Sequence, residues 1–371
     1  MPIFMDLHEV PGVTAKDAAE AHLLDVEVQD EYNCNVMTVW LDILRGEGFC
    51  LIEAPDKKAV ELMHKNSHGL VPNKIIEVDS NMVKLFLGRI SDPETVQSSG
   101  EFEKLISQSP YRTIIRIELK NPFFINVNGE NGKTEKIKET YDNVIHRAIE
   151  NHNGQEVKHI TDGYIAVFTS VSDSVKCAID IQDKFKIHNE KSTLQKILFA
   201  IAVHTGAPVA ETEDFFGDTI QLTKRMCDVS RNGQIIFSSS IRNIFREEEL
   251  AIKRNNAVKI LSPVEEEFLN RLMELTELIW NDEGFNIDRF SKKIGFSKAQ
   301  LYRKVTSLTG YSPNVFFRNY RLKRAINLIE KMKGNISEIA FESGFNNPSY
   351  FSKCFYKKFG ILPSEYANAV M

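Results

Sequence analysis

The chain is poor in features that mark secreted or membrane-embedded proteins. Its five cysteines (Cys34, Cys50, Cys177, Cys227 and Cys354) lie far apart, and no C-x-x-C occurs among its 371 residues. That spacing argues against a disulfide framework and against a thiolate zinc site, and it fits a reducing compartment. No charged-then-apolar leader opens the sequence, and no apolar run approaches the roughly 20 residues that a bilayer-spanning helix needs. The expectation is a cytoplasmic protein with no membrane partner.

What is present has the makeup of ordinary globular protein, with 42% hydrophobic and 26% charged residues. At roughly 100 to 200 residues per domain the length calls for several domains. Composition and patterning divide it at 1–80, a linker at 81–110, 111–245 and 262–371. Charge divides it too. From Gly284 to Met371 there are fifteen Lys and Arg against five Asp and Glu, a balance of +10; the remainder carries −15, so the total of −5 conceals two oppositely charged parts. A phosphate backbone would attract only the C-terminal one.

Residues 1–80 alternate strand, helix, strand, strand, helix, strand. Extended apolar segments span 2–10, 36–43, 48–54 and 74–78, with helical patterns at 14–32 and 56–68. Thr14 followed by Asp17 is a variant of the capping box, and Arg45-Gly46-Glu47-Gly48 is a hairpin turn. This βαββαβ order is the ferredoxin-like arrangement. Four of nine histidines fall here: His8, His22, His64 and His68. His64 and His68 are one helical turn apart and share a face. Two readings stay open: imidazoles gripping one metal, or half-buried histidines satisfied by hydrogen bonds. Cys50 reads as a small core residue.

Ser80 to Pro110 is polar and acidic with few apolar positions, which reads as a linker with room for one short helix. Beyond it a second αβ unit begins. Strands are expected at 112–119, 156–161, 164–169 and 195–204, with helices at 135–151 and 172–185. By itself Asp162-Gly163 is a hairpin turn.

The C-terminal part contains two turn-helix units of similar design. A helix opens at Glu265–Glu267 with an apolar stripe at Phe268, Leu269, Leu272, Leu275 and Ile279. Residues 287–294 form the first short helix, Gly295-Phe296 the turn, and Ser297 caps a second helix. In it Leu301, Val305 and Leu308 face inward, leaving Lys298, Tyr302 and Arg303 to a groove. The pattern repeats with a helix at 336–342, a turn at Ser343-Gly344-Phe345, a cap at Asn346 or Asn347, and a second recognition helix at 349–359 with Phe351 and Phe355 inward. A basic helix over 314–331 joins the units. On a rigid connector two such units can enter successive major grooves, about 34 Å apart.

Three resemblances follow from these residues. The I-A-x-x-x-G-F, S-Y-F-S-x-x-F and F-G-x-x-P-S-x-Y segments resemble the AraC/XylS family of transcription regulators. The resemblance implies base readout by Ala299, Tyr302, Arg303, Asn347, Ser349 and Lys353. Arg303 is the expected guanine reader, because a guanidinium can bond O6 and N7 together. Lys298, Lys304, Lys357 and Lys358 are expected at phosphates. Taken singly, each lysine is a solvated surface charge. Double-stranded DNA and RNA polymerase are the implied partners.

VKHITDGYIAVFTS, FAIAVHTGAPV and DFFGDTIQLTKRMCDVSRNGQIIFSSSIR resemble, in order and spacing, the class III nucleotidyl cyclase domain. The resemblance implies a homodimer and a site for Mg²⁺ or Mn²⁺ with a nucleoside triphosphate. Asp162 matches a metal aspartate, Lys158 and Asp214 the adenine-reading pair, and Arg225 the transition-state arginine. Glu118 stands where the family has a metal aspartate, and Gln221 where it has an asparagine. The phosphate-cradling segment is replaced by Glu118-Leu119-Lys120-Asn121-Pro122-Phe123, losing a glycine and a donor N–H. A degenerate domain, retaining ligand binding and losing most turnover, is expected; a DNA-tethered cyclase is the alternative. Finally MPIFMDLHEVPGVTA, GFCLIEAPDKKAV and MHKNSHGLVPNKIIEVD resemble a small bacterial nickel-binding family. This implies Ni²⁺ or another transition metal at His8, His22, His64 and His68. The expected class is multidomain α+β: two ferredoxin-like βαββαβ-type domains, then an all-α double helix-turn-helix domain.

Overall fold

A computed structural model describes residues 1–93, 99–120, 131–160, 163–192, 196–242, 257–282, 284–331 and 334–370, without the side chains of 99, 131–136 and 158–160. The N-terminal unit runs β1 (Ile3–Glu9), α1 (Ala15–Val28), β2 (Asn35–Asp42), β3 (Glu47–Glu53), α2 (Lys57–Ser67) and β4 (Lys74–Val78). Thr14 and Asp17 close the capping box that starts α1, and Asp56 caps α2. The sheet order is β2-β3-β1-β4, antiparallel throughout. Alternation along β1 sends Phe4 to a core shared with Val60 and Met63 of α2, and Met5 to the opposite face.

The stretch read as a linker is more structured than its polarity suggests. It contains α3 (Ser80–Leu87), capped by Asp79 with Val83, Phe86 and Leu87 buried, and α4 (Ser99–Ile106), whose Ile106 is buried in the N-terminal core. Few apolar residues suffice because each finds an existing core.

The middle unit contributes β5 (Arg112–Leu119), α5 (Asn131–Asn151), β6 (Gln155–Ile160), β7 (Gly163–Phe168), α6 (Val171–Lys191), β8 (Phe199–Gly206), α7 (Gly217–Val229), β9 (Gln234–Phe237), α8 (Ser239–Arg242) and β10 (Val258–Ile260). Its sheet order is β10-β9-β8-β5-β7-β6. The four strands β8-β5-β7-β6 repeat the N-terminal order, last-first-third-second, and β9 and β10 add in parallel. Both faces are buried. Ile115, Ile117, Phe168 and Ile201 pack against α5 and α6. On the reverse face, Ile114, Ile165 and Val167 meet Trp40, Phe49 and Leu51 of the N-terminal sheet, while Ala200, Ala202 and Ile236 meet α7 and the C-terminal helices. Gly163 lets β7 approach β5: a Cβ there would lie 1.8 Å from the Ile117 carbonyl oxygen.

The C-terminal unit is all helix: α9 (Pro263–Ile279), α10 (Ile287–Lys293), α11 (Lys298–Thr309), α12 (Pro313–Glu330), α13 (Ile336–Glu342), α14 (Pro348–Phe359) and α15 (Pro363–Val370). Ser262–Glu265, Ser297–Gln300 and Asn335–Glu338 form capping boxes, and Asn347 caps α14. The first turn-helix unit shares its core with the middle sheet through Phe268, Leu272, Leu301 and Phe316; the second has a core of its own around Ile326, Phe351, Phe355 and Tyr366. The molecule is thus multidomain α+β, with two ferredoxin-like units and a helical tail. No helix among the described residues is long and apolar enough to cross a membrane.

Candidate functional site

In the N-terminal unit β1, α1 and α2 bring charge into a dry interior. Asp6 and His8 are two apart on β1 and therefore share the face covered by the helices. Asp6, His8, Asp25 and His64 are each no more than 6% exposed. His64 Nε2 lies 2.8 Å from Asp6 Oδ2, and its Nδ1 lies 3.0 Å from Asp25 Oδ2 and 3.1 Å from His68 Nε2. His68 Nε2 reaches Asp25 Oδ2 at 3.2 Å. Burial alone would lower the His64 pKa; the Asp6 and Asp25 carboxylates overcome it and push the imidazole up to about 10. Burial works to raise both carboxyls, and the imidazoles outweigh it, holding them well below the usual range.

Donor atoms of Asp6, His8, Cys50 and His64 all lie within 4.8 Å of one another, as do those of Asp25, His64 and His68. His8 Nε2 is buried without a hydrogen-bond partner, although Asp6 Oδ1 approaches it to 3.4 Å. An orphaned imidazole nitrogen beside carboxylate, thiol and a second imidazole suits a borderline transition metal. Of the four histidines named from sequence, three meet here. His22 lies elsewhere: its Nε2 bonds Asp92 Oδ2 at 2.7 Å and its ring packs on Phe102. Asp6 and Asp25 were missed, although the i, i+2 relation of Asp6 to His8 on a strand was a usable signal.

The cyclase-like positions are occupied differently. Asp162 lies outside the described residues, as do Asn121, Pro122 and the side chain of Lys158. Glu118, fully buried at the end of β5, accepts from Arg116 Nε at 2.6 Å and from Lys323 Nζ of α12 at 3.0 Å. Burial pushes its carboxyl upward, but Lys323 and Arg116 dominate and bring it down to about 2. Lys323 also binds Asp228 Oδ1 at 2.7 Å, and Lys120 donates to the Cys227 carbonyl. Arg225 is buried, with Nη1 donating to Asn270 at 2.9 Å and Glu274 at 3.2 Å, both on α9. Gln221 and Asp214 are exposed. Glu118, neutralised by two protein cations, does not fit a Mg²⁺ ligand in this arrangement, since a divalent ion there would face an ammonium and a guanidinium.

In the helical tail Ala299, Tyr302, Arg303, Asn347, Ser349, Lys353 and Lys357 are exposed. Lys298 is exposed and paired with Asp288 at 2.9 Å. Lys304 is half-buried over the Phe268 and Phe296 rings, at 5.2 and 5.1 Å. Asn347 spends its side-chain oxygen on the Tyr350 N–H. Lys358 donates to the Asn319 carbonyl at 2.8 Å. Arg321, one of the basic residues of the connector helix, is a tie between units: it donates to the Trp280, Gly344 and Asp282 carbonyls at 2.6 to 2.7 Å.

Residues 290–369 match the family described as a helix-turn-helix domain, residues 4–78 the family described as nickel responsive protein SCO4226-like, and residues 132–269 the adenylate and guanylate cyclase catalytic domain. Histidine kinase P4 of Formosa agariphila is 38% identical over 139 residues, 36% of this chain and 10% of that protein. The HTH-type transcriptional regulator MtrA of Neisseria gonorrhoeae is 31% identical over 85 residues, 23% of this chain and 28% of that one. The chain therefore spans a tenth of the first relative and under a third of the second. Among solved structures, SCO4226 of Streptomyces coelicolor is 32% identical over 20% of this chain and 94% of its own (TM-score 0.20). An adenylate/guanylate cyclase/hydrolase from Silicibacter pomeroyi is 23% identical over 39% and 82% (TM-score 0.32). The three family resemblances read from the sequence are each found again: helix-turn-helix at the C-terminus, cyclase-like in the middle, SCO4226-like at the N-terminus.

Proposed function

We propose that this chain is a cytoplasmic, sequence-specific DNA-binding transcription regulator of AraC type, in which the two preceding domains sense a ligand and mediate dimerisation. One observation carries the reading. Two capped recognition helices, α11 and α14, bury Leu301, Val305, Phe351 and Phe355 and leave Tyr302, Arg303, Ser349 and Lys353 exposed. Exposed polar residues on a helix seated in a turn-helix unit are what a major groove reads. RNA polymerase is the natural second partner of such a protein on DNA.

The test is a selection of bound duplexes from a random pool, followed by Arg303→Ala. Its loss should cost about 1 to 3 kcal/mol on the selected sequence and relax preference at one base, whereas Lys357→Ala should weaken all duplexes alike. Equal losses on selected and random duplexes for Arg303→Ala would contradict the assignment.

In the N-terminal domain His8, His64 and His68, with Asp6 and Asp25, would hold a transition metal such as Ni²⁺. The metal would supply a charge-compensated link between β1, α1 and α2; His64 would release its proton on binding. The cyclase-like domain serves as a sensor that has lost most turnover, a reading supported by the engagement of Glu118 and Arg225 in structural ion pairs. Conversion of ATP to cyclic AMP by the purified chain, with Mg²⁺ or Mn²⁺, would instead support the DNA-tethered cyclase. A monomer in sedimentation at micromolar protein would remove the dimer.

A further inference from the structure

Between the middle and C-terminal units lies a cavity of about 1170 Å³. Ten Lys or Arg side chains line it against three acids. All three acids are engaged: Asp142 accepts from the Tyr164 hydroxyl at 2.6 Å, Asp228 binds Lys323 at 2.7 Å, and Glu330 accepts from the Tyr366 hydroxyl at 2.6 Å. Of the cations, Lys138 and Lys224 come from α5 and α7, and Lys353 and Lys357 from α14; these four have no ion-pair partner among the described residues. Arg318 and Lys358 stand beside them. Lys358 is exposed to this cavity, yet surrounding protein still desolvates its ammonium, and Lys120, Lys323 and Arg318 repel it; together these push it down to about 7 against the pull of Asp228. Like charges gathered in one cleft repel one another unless an anion joins them. The walls also offer exposed aromatic rings, Tyr311 and Tyr350.

We propose that this interdomain cavity binds a polyphosphate anion, and that the polyphosphate and duplex DNA compete for Lys353 and Lys357. Several ammonium groups contributed by two domains match a linear chain of phosphates, each with its own charge. Lys353, the expected base reader, and Lys357, the expected phosphate contact, lie on the second recognition helix, so phosphates held in the cavity draw both away from DNA. The competition rests on the DNA-binding reading above; the binding site itself does not.

The full chain is titrated with sodium tripolyphosphate, with ATP, and with sulfate at matched ionic strength, all without divalent metal. Calorimetry and melting temperature report binding, and the anisotropy of a labelled random-sequence duplex reports competition. Tripolyphosphate and ATP should bind saturably, raise the melting temperature and displace the duplex where sulfate does not. Equal affinities for the two would mean that phosphates alone are recognised; an advantage of about tenfold for ATP would assign the aromatic walls to a base. The double variant Lys138→Glu/Lys224→Glu should weaken polyphosphate binding about tenfold or more while retaining duplex binding, with Lys138→Gln/Lys224→Gln as the milder pair should the first fail to fold. Failure of both polyanions to bind more tightly than sulfate overturns the site, and so does unchanged affinity in a folded variant. Saturable binding that leaves the duplex in place overturns the competition. A duplex that never binds counts against the regulator reading alone, because calorimetry still reports on the cavity.

Discussion

The N-terminal sheet and the four matching strands of the middle sheet have the same order and bury acid on corresponding first strands, β1 and β5, but they neutralise it by different means. Asp6 is matched by His64 and approached by His8, all within one domain. Glu118 is matched by Arg116 two residues away on its own strand and by Lys323 from a helix of another domain. An imidazole can give up its proton and accept a metal; a guanidinium cannot. On the metal-binding reading proposed above, the N-terminal cluster can therefore exchange a proton for a metal. The middle one is a carboxylate held by Arg116 and Lys323, so the same fold carries an acid–imidazole cluster within one domain and an interdomain ion pair in the other.

The largest effect is expected from breaking the exchangeable cluster. His64→Ala removes the ring that touches both Asp6 and Asp25, leaving two buried carboxylates short of a partner. The full chain should lose about 3 to 5 kcal/mol of stability in chemical denaturation, and heat of Ni²⁺ binding should vanish in calorimetry. A variant as stable as its parent would mean that the carboxylates find water or protonate at little cost, and undiminished Ni²⁺ binding would remove His64 from the metal site.

pH separates the two sheets further. His64 has its folded pKa raised above the ordinary imidazole value of about 6.5, so its stabilising contribution is complete below that value and is lost as pH rises through about 10. Glu118 has its folded pKa depressed, so its contribution is complete above the ordinary carboxylate value and disappears only as pH falls through about 2. Between pH 7 and 9 stability should decline by up to about 1.4 kcal/mol per unit, the slope of one released proton, and His64→Gln should flatten that decline. An equal slope in the variant would assign the alkaline loss to other groups.

Legibility in the sequence followed the range of each interaction. The two turn-helix units were readable because their signals are local: Ser297 as a cap, the Leu301, Val305, Leu308 stripe, and an asparagine cap at 346 or 347 before the Phe351, Phe355 stripe. Both βαββαβ orders were readable from alternation and turns, and His64 with His68 from one helical turn. What escaped was contact across distance. Asp25 belongs to a helix whose visible signals were its span and its Thr14–Asp17 cap, and nothing near it in the chain announces His64. Arg321 looked like one more basic residue on a surface helix, whereas it fastens three carbonyls. Lys323 meets Glu118 across 205 positions, which no window can anticipate. Likewise the linker at 81–110 was judged by average polarity, while Phe86 and Ile106 each needed only one cavity to fill.

The smallest expected effect concerns that longest contact and sets a scale for the fixed pair. The Lys323 side chain is 39% exposed, so solvent screens its attraction to Glu118, which is 1% exposed. A double-mutant cycle of Glu118→Gln with Lys323→Ala should therefore give a coupling of about 1 kcal/mol in the stability of the full chain. The matching cycle of Asp6→Asn with His64→Ala, whose partners are both wholly buried, should exceed it. Coupling near zero for the first cycle would mean that Arg116 alone holds the Glu118 carboxylate, and that the apolar core around Phe268 and Phe316 joins the helical tail to the middle sheet without help from charge. A coupling as large as that of the Asp6 cycle would instead make Lys323 the main electrostatic bond between the two units. A polyphosphate that drew Lys323 from Glu118 would then loosen the tail as well as compete with its DNA.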